Sequence, residues 1–126
     1  VRCDNAVFPI YIYIFEDSHI IEVYSYLDTV ISENKRAGVS EFCTRVNSGM
    51  PIGNFEFDME DGEVKYKTSI ALGDNIEFLT DDVIDRLIEI NYNNIDLYYP
   101  GFMQINFSNN FDVKTIIEEI EKPESE

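Results

Sequence analysis

The chain has 126 residues, 44% of them hydrophobic, enough for one domain with a sizeable core and too few for two. Its 25 acidic and 9 basic residues leave a formal net charge of −16, a surface that repels phosphate backbones and anionic lipid. That balance counts against nucleic-acid and membrane binding, no apolar run reaches the length of a bilayer span, and a basic protein partner would suit the charge.

Residues 8–15 (Phe-Pro-Ile-Tyr-Ile-Tyr-Ile-Phe) are β-branched and aromatic throughout, with Pro9 near the start, where a strand tolerates it. Glu16-Asp17-Ser18-His19 reads as a turn and residues 20–27 as the returning strand. A two-residue loop at Asp17-Ser18 sets Ile10 opposite Ser25 and Ile14 opposite Ile21. One face then carries Phe8, Ile10, Ile12 and Ile14 against Ile21, Val23, Ser25 and Leu27, and is expected to be core. The other carries Tyr11, Tyr13 and Phe15 against Ile20, Glu22, Tyr24 and Tyr26. That second face is too aromatic for an ordinary solvated surface.

Residues 33–48 read as a helix, with Val39, Phe42, Cys43 and Val46 on one buried stripe and Ser32 as N-cap. Gly49 followed by Met50-Pro51 is a stop signal. Residues 54–72 read as a second hairpin. Asp61-Gly62 is its turn signal, because glycine accepts the positive φ that a type I′ turn requires. The expected register sets Met59 against Val64 and Phe57 against Tyr66 on one face, with Asp58 against Lys65 and Glu56 against Lys67 on the other. Apolar meets apolar and acid meets base.

Thr80 is placed to cap a further helix, with Asp81, Asp82 and Asp85 near the positive end of its dipole. Ile84, Leu87, Ile88, Ile95 and Tyr98 give this helix an apolar stripe, interrupted by Asn91, Asn93 and Asn94. Pro100 is expected to kink or interrupt it, and Gly101–Phe107 to continue it for two turns. After a break at Ser108-Asn109-Asn110, residues 112–121 form a short helix carrying Val113, Ile116, Ile117 and Ile120. A polar tail, Lys122–Glu126, follows. The order β-β-α-β-β-α-α, built on hairpins rather than βαβ crossovers, predicts an α+β fold: a mostly antiparallel sheet covered by helices.

The residues of a catalytic or metal site are scarce. His19 is the sole histidine and sits in a turn, so a Ser-His-Asp or Cys-His constellation is weakly supported. Cys3 and Cys43, with one histidine at scattered spacing, match no zinc pattern. Asp58-Met-Glu60-Asp61-Gly62 superficially resembles a calcium loop, but Ser69 stands where the closing Glu belongs. There is no glycine-rich phosphate loop, and Asn106-Phe107-Ser108 matches a glycosylation sequon without a secretory signal. No catalytic residue, metal or cofactor is assigned. Two cysteines without framework spacing suggest a reducing cytoplasm. The chain opens on Val1 rather than Met, so the natural start is expected to lie upstream.

Tyr11, Tyr13, Tyr24 and Tyr26 are the candidate protein-binding face. Tyrosine offers a large apolar contact with a polar tip, which suits an interface. The competing reading is that a helix, from before Val1 or from the chain itself, packs over them.

Some residues carry a resemblance. Pro51-Ile-Gly-Asn-Phe-Glu-Phe-Asp-Met-Glu-Asp-Gly-Glu-Val-Lys-Tyr-Lys-Thr68 resembles the signature segment of the YbjN family of bacterial proteins. Lys35-Arg36 and Arg45-Val46-Asn47 are similar to that family's helix, and Tyr98-Tyr99-Pro100-Gly101-Phe102 to its late tyrosine–proline segment. The resemblance covers roughly residues 8–107. It implies a fold like the type III secretion chaperones, a role in regulating sensory transduction, and no established catalytic residues. By that analogy the protein is a cytoplasmic protein-binding module and a homodimer. Two departures stand out: the family's amino-terminal helix is missing from this chain, and the acidic stretch from Ser108 lies outside the pattern. The expected division is therefore a YbjN-like domain over 1–107 and an acidic carboxy-terminal helix and tail over 108–126.

The function expected from all this is a non-enzymatic protein-interaction module, a regulator of bacterial signalling or a chaperone-like binder of protein segments. The alternative is a small-ligand binder or carboxylate-based enzyme with a pocket between sheet and helices, which requires two buried acids at a concave site.

Overall fold

The computed structural model describes residues 6–123, so Cys3 and the last three residues lie outside the described part. Strands β1 (Ile10–Phe15) and β2 (Ile20–Tyr26) form the first hairpin, in the expected register with Ile10 opposite Ser25. A single 3-10 turn leads into α1 (Arg36–Asn47), which buries Val39, Phe42, Cys43 and Val46. Ser32 makes no side-chain cap to that turn; its amide instead donates to Asn106 Oδ1 at 2.9 Å. β3 (Asn54–Phe57) and β4 (Val64–Ala71) follow, and the four strands form one antiparallel sheet in the order β1-β2-β4-β3. α2 (Asp81–Phe107) lies across β2 and β4, and α3 (Val113–Glu121) packs against α1 and α2. The class is the predicted α+β, with the helices on one face of an antiparallel sheet.

The second hairpin departs from the expected register. Phe57 rather than Met59 faces Val64, Phe55 faces Tyr66, and Glu56 faces Lys65. The slip is by two positions, so every side chain keeps its expected face, because strand side chains alternate with period two. The cause lies at Asp58. Its Oδ1 accepts the amides of Glu60 at 2.8 Å and Asp61 at 3.3 Å, and the Gly62 amide reaches the Asp58 carbonyl at 2.9 Å. This side-chain turn makes a longer loop than Asp61-Gly62 alone would, and it leaves Met59 exposed. It also engages the carboxylate that a calcium loop would place on the ion.

Arg36 pins the turn from α1, with Nη1 donating to the Glu60 carbonyl at 2.7 Å and Nε to the Ile31 carbonyl at 3.1 Å. Asn47, at the other end of α1, brackets the outer edge of β3. Its Oδ1 accepts the Phe55 amide at 2.7 Å, and its Nδ2 donates to the Phe55 carbonyl at 2.9 Å. One side-chain amide thus stands in for a neighbouring strand. Asn47→Ala is expected to cost about 1–3 kcal/mol, the range for leaving such groups unpaired. It should appear as a lower urea midpoint with an unchanged slope. A loss below about 0.5 kcal/mol contradicts this role.

Pro100 does not interrupt α2, which runs 27 residues through it. The ring is exposed, while Gly101 and Phe102 on the inner side are buried. Phe102 meets Phe42 and Phe55 edge to face, with ring centroids 4.9 and 5.1 Å apart. Gly101 makes room for this approach, since a Cβ there would lie 2.8 Å from Phe42 Cε1. Burial of the two turns beyond Pro100 offsets the roughly 3 kcal/mol that an interior proline costs. Of the stripe expected on α2, Leu87, Ile95 and Tyr98 are buried, and Asn91, read as an interruption, lies fully buried among them.

The core joins Phe8, Ile31, Phe42, Phe55, Tyr66, Ile95, Phe102 and Ile105, with Val113 and Ile116 of α3 in the same cluster. Asn106, the sequon residue, belongs to this interior: only 6% exposed, it accepts the Ser32 amide.

Candidate functional site

α1 and α2 cover the face of the sheet that holds Ile21, Val23, Phe55, Val64 and Tyr66, and α3 packs against these two helices. The opposite face is left without a covering element among the described residues. Side chains run across it in rows dictated by register: Tyr11, Tyr24, Lys67 and Asn54 in one, and Tyr26, Lys65 and Glu56 in the next. Tyr13 stands beside Glu22, and Phe15 beside Ile20.

The four tyrosines singled out from the sequence meet on this face. Tyr11 contacts Tyr26 edge to face with centroids 5.4 Å apart, and Tyr13 contacts Tyr24 likewise at 5.7 Å. Tyr11 and Tyr13 are about half exposed, at 51% and 45%. Tyr24 and Tyr26 are partly covered, because Lys65 spreads over both rings, 5.0 and 5.8 Å from their centroids. No described helix packs over this face.

The aromatic half gives way to an ion-pair half. Lys67 Nζ lies 3.0 Å from Glu56 and 3.9 Å from Glu22, and Lys65 lies 3.9 Å from Glu56. These lysines, which composition does not single out, tie the tyrosines to the charged strands. Partial burial, then the Glu56 and Glu22 carboxylates, push the Tyr24 phenol up. Partial burial beside Tyr13 pushes Tyr26 up to about 12. The hydrogen bond to Glu56 raises Lys67, against the opposing effect of burial. At neutral pH Tyr24 and Tyr26 are therefore neutral phenols and Lys67 is a protonated ammonium.

The same shifts predict alkaline unfolding. Burial raises Tyr66 and, with the Glu121 hydrogen bond, Tyr98, and pushes the Cys43 thiol up to about 12 from 9.0. A group whose folded value is raised stabilises the fold below its unfolded value, and that stability is lost as pH climbs through the folded one. From the unfolded thiol value of 9.0 upward, and from 10.0 for the phenols, the unfolded chain gives up protons that the folded chain keeps. The urea midpoint should fall steadily from pH 9 to 12, over the range these groups span. The slope should approach ~1.4 kcal/mol per pH unit for each group that only the unfolded chain has ionised. A flat profile across that range contradicts the assigned burial.

The expectation for β1 needs correction. Ile10, Ile12 and Ile14 belong to the predicted core face, yet Ile12 is 46% and Ile14 66% exposed. α2 rests on β2 and β4, and the far end of β1 projects past it. Only Phe8 and the β2 side of that hairpin face, Ile21, Val23, Ser25 and Leu27, are fully covered. The strand is thus apolar and open on both faces.

His19 is not a free turn residue. It sits at φ 51°, and its Nδ1 donates to the Gly73 carbonyl, tying the first turn to the end of β4. Depressions on the surface of the described residues include the following two. One of about 450 Å³ is lined by Glu56, Asp58, Glu60, Glu63 and Lys65 around the β3–β4 turn, and is open rather than set between sheet and helices. The other, about 270 Å³, lies between Met50–Ile52 and Ile90, Asn93 and Asn94 of α2. The buried polar side chains of the described residues are Ser25, Thr68, Asn91 and Asn106, with no carboxylate among them. The buried acid pair that the enzyme reading requires has no counterpart there. No described helix is long and apolar enough to cross a membrane.

In comparison with known proteins, residues 1–104 match the family model YbjN, described as "Putative bacterial sensory transduction regulator". No curated protein and no solved structure matches the chain.

Proposed function

The chain belongs to the YbjN family, and on that premise we propose that it is a protein-interaction module acting in bacterial signal regulation through the open face of its sheet. The observation that carries this reading is the exposed tyrosine cluster on a sheet face that no described element covers. Paired rings held by register lose little conformational freedom on docking, and each supplies a broad apolar contact with a hydroxyl at its rim. Lys65 and Lys67, pinned to Glu22 and Glu56, give the face a charged margin that can orient a partner. The overall charge of −16 favours a basic protein and disfavours nucleic acid. A cytoplasmic setting fits the buried free thiol of Cys43. A chaperone-like use of the face, holding an extended segment of a client, is the finer form of the same reading.

The test is site-specific photo-crosslinking in the native cell. A photoreactive side chain replaces Tyr24 in one strain and exposed Glu89 on α2 in another. The expected result is a discrete adduct to a different polypeptide from position 24 alone, lost when Tyr26→Ser is added to a still-folded chain. Equal labelling from both positions, or none from position 24, rejects the open face as the working surface.

A further inference from the structure

We propose that β1 is a self-pairing edge: two copies of the chain join antiparallel through it, about a two-fold axis at Ile12, to make one eight-stranded sheet. This goes beyond the reading above, which uses the side chains of the open face rather than the strand edge.

The argument begins with the hydrogen-bond ladder. The Tyr26 amide donates to the Pro9 carbonyl at 3.2 Å, which places the bonded pairs of the β1–β2 ladder at the odd-numbered β1 residues. In an antiparallel ladder bonded and non-bonded pairs alternate, so the amides and carbonyls of Ile10, Ile12 and Ile14 point outward. Among the described residues no strand pairs with this edge.

The sheet's two edges are treated differently. β3 is four residues long, carries Glu56, and has its outward Phe55 groups taken by Asn47. β1 has six residues, Ile-Tyr-Ile-Tyr-Ile-Phe, with no charge, no proline and no bulge. Charged edges, prolines and bulges are the usual devices against edge-to-edge pairing, and all are absent. In a chain of net charge −16, this is the strand that offers no charge to a like partner.

Register selects the second copy as occupant. A mate must bring residues of the same face together, so paired numbers must both be even or both be odd. Centring on Ile12 pairs Ile10 with Ile14 of the mate and Ile12 with its own copy, which uses all three outward residues. On the opposite face it sets Tyr11 against Tyr13 of the mate. Isoleucine meets isoleucine and tyrosine meets tyrosine, and the exposed Ile12 and Ile14 are covered. The acid nearest the strand in sequence, Glu16 in the turn after it, falls four residues from the axis. The two copies of it lie roughly 26 Å apart at ~3.3 Å per residue, beyond the ~8 Å screening length at physiological salt.

Sedimentation of the full chain from about 1 to 100 μM tests this, the range fitting an interface at the small end of the stable classes. The expected result is a monomer–dimer equilibrium that tightens as sodium chloride rises, because screening relieves repulsion between two anionic chains. Ile12→Lys, which sets two ammonium groups against each other on the axis, should weaken it at least tenfold while Tyr24 and Tyr26 stay in place. A parent that remains monomeric at ~100 μM overturns the proposal. So does an Ile12→Lys variant that still dimerises, or an association that salt weakens, the signature of charge-paired contacts. Amide exchange on the parent decides the matter if the variant fails to fold. Ile12 and Ile14 amides should be protected at high concentration and released on dilution, while those of Tyr11 and Tyr13 stay protected throughout. Equal exchange of the Ile12 amide at both concentrations also overturns it. Failure of this test leaves the crosslinking from Tyr24 unaffected, so the two readings stand or fall separately.

Discussion

Asn91→Leu is expected to destabilise the protein by about 2–4 kcal/mol, a large share of the roughly 6–19 kcal/mol typical for a chain of this length. Asn91 is fully buried in the middle of α2, against the sheet. Its Nδ2 donates to the carbonyls of Val23 at 2.6 Å and Tyr66 at 3.2 Å and meets Thr68 Oγ1 at 3.2 Å, while its Oδ1 accepts the Ser25 hydroxyl. Thr68 in turn donates to the Leu87 carbonyl at 3.0 Å. No buried side-chain polar atom among the described residues lacks a partner. Leucine matches the volume but strands the Ser25 hydroxyl, and an unpaired buried donor costs more than the bond itself was worth. Asn91→Asp tests the same network by pH. A carboxylate there faces two carbonyl oxygens and desolvation, both of which raise its folded pKa. The variant should be most stable in acid, where the protonated group can still donate, and lose stability as pH rises through that raised value. Urea midpoints at acid and neutral pH check both variants. A leucine variant within about 0.5 kcal/mol of the parent refutes the network's role.

Gly62→Ala is the second substitution expected to act strongly, at about 2–4 kcal/mol, combining left-handed strain with a backbone clash. Gly62 has φ +80°, and a Cβ there would press on the Ile31 carbonyl oxygen and lie 3.1 Å from Arg36 Nε. That carbonyl is the acceptor of Arg36 Nε, and the Ile31 amide donates to the Gly62 carbonyl at 2.9 Å. The β3–β4 turn, the segment before α1 and the start of α1 therefore meet at one glycine. The expected outcome is a lowered midpoint with the loss undiminished in an Arg36→Ala background, since the obstructing atom is backbone. Gly73→Ala is the control: its φ is also positive, at 55°, but a Cβ meets nothing within 4 Å, so only the strain is paid. Equal losses at the two glycines contradict the close-approach argument.

Gly62 is one of several residues in the segments resembling YbjN proteins whose contacts can be read from the structure. Arg36, Asn47, Gly53, Gly62 and Tyr66 all lie within the segments that resemble YbjN proteins. Arg36 and Asn47 hold backbone, Gly53 and Gly62 adopt positive φ, and Tyr66 donates to the Ile52 carbonyl at 2.7 Å. The contacts of these five residues are architectural: they hold the turn, the strand edge and the loop before β3 in place.

The sequence alone determined the elements, their order, the register of the first hairpin and the face on which each strand residue lies. These follow from local rules: alternation along a strand, a 3.6-residue period in a helix, and the capping of α2 by Thr80, whose Oγ1 accepts the Val83 amide at 3.2 Å. It also placed Tyr11, Tyr13, Tyr24 and Tyr26 together, since pairing within a hairpin is local. The two-position slip of the second hairpin is also local, set by Asp58 capturing its own loop amides, but residue alternation cannot see it. Tertiary structure alone decided the rest. The passage of α2 through Pro100 depends on the burial of Phe102 between Phe42 and Phe55, contributed by distant elements. Asn91 reads as a break in an apolar stripe until β2 and β4 bring it partners. The exposure of Ile12 and Ile14 depends on where α2 comes to rest, because an apolar side chain is buried only when something lies across from it.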